Sequence, residues 1–271
     1  METALIVIGA ILVSIIIIYL FLIFPSLRKK GDMFKKQPLY AHRGLFGGDI
    51  PENSMAAFAK AVEAGYGIEL DVHTTTDGVA VVHHDDSLMR LCGVDKMIEQ
   101  STYDEIKDIT LPDGSRLPLF SEVLSLVDGR VPLIVELKCT KAADTRVADV
   151  AARELENYKG EYWIESFDPF VVRKYKKYRR GVMCGQLAGR TYFKDDKIKT
   201  KLIKFCAEKM LFNVISRPDF VAYQFEYRCN VSCALCRLFG AEKAYWTITT
   251  AYARDRSFKD RAAVIFQDFM A

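Results

Sequence analysis

The sequence predicts an α/β fold: a TIM (β/α)8 barrel with a small insertion after the second strand region, preceded by one N-terminal transmembrane helix. Three observations carry this reading. Residues 4–24 run for 21 positions without a charge. Beyond them, eight short apolar runs alternate with longer amphipathic stretches, the pattern of parallel strands joined by crossover helices. Acidic, basic and imidazole side chains gather at the ends of the first of these runs, where such a barrel carries its chemistry.

At about 1.5 Å per residue the uncharged run makes a helix of roughly 30 Å, the thickness of a bilayer's hydrocarbon core. It lacks the positive leader, shorter apolar run and small-residue cleavage site of a signal peptide. Arg28, Lys29, Lys30, Lys35 and Lys36 follow it, against a single Asp32. The positive-inside rule then places this flank and the barrel in the cytoplasm, on a single-pass protein of the cell membrane. Residues 1–36 are expected to be the anchor with its basic flank, and 37–271 the barrel.

Strands are expected at 38–43, 67–72, 131–138, 162–166, 182–187, 211–216, 244–249 and 263–269. The first helix has Ser54 as cap and Gly65 as stop, and the stretch from Ala142 to Tyr158 repeats apolar residues at three and four. A hairpin turning at Asp77-Gly78 follows the second strand. The insertion is expected over about 87–130, where Pro112, Asp113-Gly114, Pro118 and Asp128-Gly129 punctuate the chain.

With 38 basic and 35 acidic residues the formal charge is +3, and setting aside Glu2 and the flank leaves 33 of each sign. A balanced barrel argues against a nucleic-acid partner, and the basic flank fits anionic lipid headgroups instead. Seven cysteines without regular pairing read as thiols of a reducing compartment. The cluster CNVSCALC has no second Cys/His pair to complete a zinc site, so it reads as helix thiols.

Glu69 and Asp71 are two apart in a strand and share a face, while Ile68, Leu70 and Val72 take the other. Glu136 and Lys138 share a face by the same parity. Three carboxylates from neighbouring strand ends make a hard oxygen site for Mg2+ or Ca2+. His42 and Arg43 end the first strand and His83-His84 ends the hairpin. Two histidines beside a cation are suited to proton transfer, and Arg43 and Lys138 to phosphate oxygens. Together these groups describe a phosphoester site.

HRG followed by PENSxxAF, then GxxxExDVxxTxDGxxVVxHDxxLxR and ELK, resembles the glycerophosphodiester phosphodiesterase family, with weaker echoes in ESFDP, GQL and YWT. The resemblance implies a TIM barrel that hydrolyses glycerophosphodiesters to sn-glycerol 3-phosphate and an alcohol. It implies catalytic roles for His42 and His84, metal ligation by Glu69, Asp71, Glu136 and Glu52, and phosphate contacts from Arg43 and Lys138. His84 rather than His83 directly precedes the aspartate of the motif. Trp246 stacks on a headgroup or fills the mouth. The chain departs from similar proteins after the eighth strand, giving RAAVIFQDFMA in place of a glycine-rich ending, which points to an atypical closure of the barrel. A lysophospholipase D acting at the membrane surface is the alternative substrate choice, and a non-catalytic membrane-anchored binding protein the alternative of another class.

Overall fold

The computed structural model describes residues 1–27, 39–190 and 198–270, the side chains of 198 and 199 excepted. The basic flank expected at 28–36 lies outside the described residues. After α1 (Glu2–Ile23) come β1 (Leu39–His42), α2 (Met55–Glu63), β2 (Gly67–Thr74) and β3 (Ala80–Val82). Two short helices, α3 (Met89–Cys92) and α4 (Tyr103–Ile106), precede α5 (Phe120–Val127), β4 (Leu133–Leu137), α6 (Arg146–Glu154) and β5 (Tyr162–Ser166). The chain continues through α7 (Pro169–Tyr178), β6 (Cys184–Ala188), α8 (Ile198–Glu208), α9 (Asn213–Ser216) and β7 (Phe220–Gln224). It ends with α10 (Val231–Leu238), β8 (Glu242–Ile248), α11 (Ala251–Lys259) and β9 (Ala263–Phe266).

Eight parallel strands close in the order β1-β9-β8-β7-β6-β5-β4-β2, with β2 returning to β1, and β3 adds an antiparallel edge to β2. The barrel closes without a glycine-rich ending: β9 pairs with both β8 and β1, and the one irregularity in these pairings is a register shift against β8 between Tyr245 and Ile248. The last residues supply the β propensity and apolar parity of an ordinary barrel strand, and a glycine-rich continuation is not needed for pairing.

Alternation along each strand builds two cores. Tyr40, Ile134, Trp163, Phe220, Ala244 and Ile265 fill the barrel interior, while Ile68, Leu70, Val135, Ile164 and Val264 pack outward against the helices. Close packing inside is visible at Gly185, where a Cβ would lie 2.2 Å from the Phe220 ring. The outer helices start on their own caps. Ser54 accepts the Ala57 N–H at 3.1 Å, and Asp168 accepts the Phe170 and Val171 N–H groups ahead of α7.

Two boundaries differ from the sequence reading. The strand expected at 211–216 is in part helix α9, and the seventh barrel strand is FVAYQ at Phe220–Gln224. Both are short apolar runs that periodicity alone cannot separate; Pro218, lacking an N–H, stands just ahead of the true strand, where no ladder bond is lost. The insertion holds its own small core of Val81, Leu88, Ile98, Ile106, Leu111 and Leu117. Helix α5, at the end of the stretch expected to be insertion, packs beside α2 as one of the barrel's outer helices.

Helix α1 docks by its C-terminal end alone. Tyr19, Leu20 and Ile23 rest on the outer core, while residues 1–18 are exposed. The barrel caps the helix's terminal carbonyls: Asn213 Nδ2 donates to Ile23 O at 3.0 Å, and Arg217 Nη1 donates to Phe21 O at 2.9 Å and Phe24 O at 2.8 Å. These are acceptors that a helix end leaves without partners. Of the CNVSCALC thiols, Cys233 and Cys236 lie buried on α10 and Cys229 is exposed, and among the described residues no histidine or second cysteine pair joins them.

Candidate active site

Strand parity and register deliver a charged ladder to the C-terminal mouth of the barrel. His42 on β1 lies opposite Glu69 on β2; Asp71 lies opposite Glu136 on β4, and Glu136 opposite Glu165 on β5. All of these positions point inward, above the apolar interior layer. The ladder forms one wall of a cavity of about 490 Å³, whose lining includes His42, Arg43, Glu69, His84, Glu136, Lys138 and Glu165. Its opposite wall is Phe167, Leu187, Trp246 and Ile265.

Oxygen atoms of Glu69, Asp71 and Glu136 lie within 4.8 Å of one another. The cations next to them are Lys138, whose Nζ is 2.9 Å from Asp71 and 2.8 Å from Glu136, and Arg43, whose Nε is 3.6 Å from Asp71. Burial and the neighbouring carboxylates push Glu69 well above the ordinary range, and burial does the same to Glu165. Burial also opposes ionisation of Asp71, but Lys138, His84 and Arg43 outweigh it and hold this carboxyl well below its usual value. Asp71 Oδ2 also accepts a hydrogen bond from Asn53 Nδ2 at 2.8 Å. Glu165 Oε2 is buried with no hydrogen-bond partner. Four carboxylates thus face two cations, an excess of negative charge that a divalent ion with oxygen ligands would neutralise.

Glu52 stands apart from this cluster. Its carboxylate is held by Arg43 Nη1 at 2.9 Å and by Arg90, reaching over from α3 in the insertion. Burial disfavours the charge, yet the hydrogen bond from Arg90 and the Arg43 charge lower the Glu52 pKa. Its place is behind Arg43, which it steers toward the mouth. Arg43 itself has φ +56° and Gly44 φ +80°, and a Cβ on Gly44 would meet Ala57 at 2.9 Å. The remaining glycines of this loop, Gly47 and Gly48, do not line the cavity; Gly47 bridges to Ile50 across a turn.

The two mouth histidines are oriented differently. His42 Nδ1 lies 2.8 Å from Gln267 Oε1, an acceptor, so the ring proton sits on Nδ1 and the lone pair on Nε2, 3.9 Å from Glu69. Burial and Arg43 push His42 down to about 3. His84 Nδ1 bonds Asp85 Oδ1 at 2.6 Å, a carboxylate that fixes the orientation of the ring. Burial works against the Asp85 charge, but hydrogen bonds from His84 and Arg90 hold its pKa well below the usual value. His83 is fully buried, with Nδ1 turned back on the Asp85 backbone. The fourth histidine, His73, is also buried and bonds Glu99 of the insertion at 3.1 Å. Trp246 lines the mouth and meets Phe167 edge-on at 5.8 Å.

Three residues of this site were not singled out from the sequence. Glu165 carries the same inward parity as Trp163, a signal available in YWIES. Arg90 closes the HDxxLxR motif but carries no local sign of its partner, and Gln267 offers no signal, because a neutral amide 225 positions from His42 has no local pattern.

Residues 42–221 match the glycerophosphoryl diester phosphodiesterase family. A glycerophosphodiester phosphodiesterase of Caldanaerobacter subterraneus is 26% identical over 235 residues, 83% of this chain and 90% of that one. The human lysophospholipase D GDPD1 is 34% identical over 137 residues, 44% of this chain and 42% of its own. The chain likewise spans only 44% of the length of Bacillus relatives matched at 41% and 38% identity. Among solved structures, an Oleispira antarctica phosphodiesterase in complex with the product sn-glycerol-3-phosphate superposes with a TM-score of 0.70 at 17% identity, covering 86% of this chain and 94% of that one.

Proposed function

The chain belongs to the glycerophosphoryl diester phosphodiesterase family, and from that premise we propose that it is a metal-dependent phosphodiesterase that hydrolyses glycerophosphodiesters to sn-glycerol 3-phosphate and an alcohol. The observation that carries the reading is the ladder of His42, Glu69, Asp71, Glu136 and Glu165 on one wall of the mouth, with His84 reaching over it.

Glu69, Asp71 and Glu136 would hold the divalent cation, Mg2+ or Ca2+, and Glu165 with its unpartnered oxygen stands beside them. When bound, such an ion neutralises phosphate charge and polarises the phosphorus. Arg43 and Lys138 contact the non-bridging oxygens, the first as a planar fork and the second as a point charge. His42, neutral and with Nε2 free toward the cavity, removes a proton from the nucleophile, whether water or the neighbouring glycerol hydroxyl. His84, backed by Asp85, delivers a proton to the leaving alcohol. Glu52 positions Arg43, and Trp246 packs against the departing group.

The test is an assay of the purified full chain on glycerophosphocholine with added Mg2+ or Ca2+. Glycerol 3-phosphate and choline are expected, and a chelator abolishes their release. His42→Ala and His84→Ala are expected to lower kcat by about a hundredfold or more while leaving the fold intact. Full activity in both variants overturns the mechanism, and no product release by the unaltered chain with either metal favours a non-catalytic binding protein.

A second reading takes a lysophospholipid as substrate, in a lysophospholipase D reaction. It is favoured by α1, which has a mean hydropathy of 3.2 and lies 6% buried, and by the name of the human relative. In this reading α1 spans the cell membrane once, residues 1–36 form the anchor with its lipid-facing basic flank, and 37–271 form a cytoplasmic barrel. Release of choline from lysolipid but not from the deacylated diester selects it.

A further inference from the structure

The direction in which α1 leaves the barrel has a consequence for where the mouth points. In this fold the outer helices run opposite to the strands, so α10 starts at the mouth end and finishes at the far end. Tyr19 of α1 bonds Ser232, in the first turn of α10, at 2.7 Å. Phe24, five positions on, packs against Phe239, just past the end of α10, with ring centroids 4.9 Å apart. Ser26 N–H then donates at 2.9 Å to Pro218 O, just before β7 and so at the far end. The docked end of α1 therefore runs from the mouth toward the far end, alongside α10. Traced backward, the helix rises past the mouth.

Residues 1–18 are exposed. From Glu2 to Ile18 the helix extends for roughly 25 Å at 1.5 Å per residue, beyond the level at which Tyr19 meets the rim. This is close to the apolar thickness of a bilayer. Arg217 and Asn213 tie the helix end to the barrel through three hydrogen bonds, and the Arg217 guanidinium also stacks on Phe21 at 4.6 Å, so the junction is braced on several sides. Exposed apolar side chains occur at both ends of the outer helices, Tyr252 and Val231 near the rim and Tyr178 and Leu238 at the far end. They do not choose a face. The course of α1 does.

We infer that α1 seats the barrel mouth-first on the bilayer, so that the cavity opens onto the lipid surface and takes an amphiphilic phosphodiester from it. The inference rests on the reading of α1 as a membrane span, and its substrate clause rests on the proposed phosphodiesterase activity. With the ladder of charges on one wall and Phe167, Leu187, Trp246 and Ile265 on the other, the cavity offers a headgroup surface and an apolar surface side by side.

The orientation is read by fluorescence quenching on the full chain in phosphatidylcholine vesicles. Tyr252→Cys and Tyr178→Cys, each in a Cys229→Ser background, carry the same polarity-sensitive dye, and a headgroup spin-labelled lipid is the quencher. Loss of fluorescence from the Tyr252→Cys dye with none from the Tyr178→Cys dye is the expected result. The reverse pattern, or equal quenching, overturns it. Arg217→Ala, which releases two of the three tethering bonds, is expected to reduce the contrast between the two sites; an unchanged contrast removes docking as its cause. Glycerophosphocholine hydrolysis in detergent is measured on the same samples. Its failure with the quenching contrast intact condemns the activity and leaves the orientation standing, and the converse result does the opposite.

Discussion

The two halves of the barrel mouth are built from the same strands-and-loops plan and carry opposite chemistry. Strands β1, β2, β4 and β5 end in His42, Glu69, Asp71, Glu136 and Glu165, whereas β6, β8 and β9 contribute Leu187, Trp246 and Ile265 to the cavity. The first half is a concentration of like charge restrained by Lys138 and Arg43. The second is an apolar wall with a single edge-on aromatic contact between Trp246 and Phe167. The difference teaches that, under the proposed function, stability and turnover are separable. The charged half works against the unliganded fold and would serve the reaction, and the apolar half would shape what is bound.

The largest test of this contrast is Glu69→Gln. Loss of one ligand is expected to lower kcat/KM roughly a thousandfold, the scale of several kcal/mol that a polarising ion supplies. In the absence of metal the same change should raise Tm by about 2–4 °C, because removing a carboxylate whose pKa is pushed up relieves about 1 kcal/mol. Asp71→Asn should also abolish activity but lower Tm, since it leaves the buried Lys138 with Glu136 as its one close carboxylate. Thermal melts with and without chelator read both signs, and a fall in Tm for Glu69→Gln would break the comparison.

Smaller in effect, Gln267→Leu removes the acceptor on His42 Nδ1, and kcat should drop about tenfold as the productive tautomer is no longer held. On the apolar half, Trp246→Ala should raise KM about fivefold to tenfold with kcat nearly unchanged, matching about 1 kcal/mol of lost packing. A kcat loss larger than the KM change would move Trp246 to the reacting side of the mouth.

The smallest effect belongs to the latch between barrel and insertion, where Arg90 joins Glu52 and Asp85. The Asp85 pKa is depressed in the fold, so its contribution is complete above the ordinary value near 3.8 and is lost as pH falls through the lowered one. Arg90 is half exposed, so solvent screening limits this contribution to about 1 kcal/mol or less. Arg90→Met should lower Tm slightly at pH 7, and the difference from wild type should shrink as the melts are taken below pH 4.

The charged half was legible in the sequence because its residues announce themselves locally. Two carboxylates two positions apart, or a carboxylate and a lysine in the same relation, leave one face of a buried strand that apolar residues cannot explain. Glu165 obeys the same parity and opens the ESFDP echo, but it stands alone in its strand, with no second charged residue on the same face to give it a role. Glu52 was legible as a site residue expected at the metal, but PENS gives no hint that Arg43 and Arg90, the second from an insertion, both pair with its carboxylate. The barrel was readable as a count of strands, and β7 was misplaced because LFNVIS and FVAYQ are equally short and apolar. Only the pairing of Phe220–Gln224 with β6 and β8 distinguishes them.

The bond between His42 and Gln267 joins the first barrel strand to the residue immediately after the last. During synthesis, then, the acidic ladder of β1, β2, β4 and β5 emerges long before the histidine beside it has an orienting partner. Until β9 zips between β8 and β1, the carboxylates and an unheld imidazole share an open sheet, so the orientation of His42 is a property of the closed barrel alone.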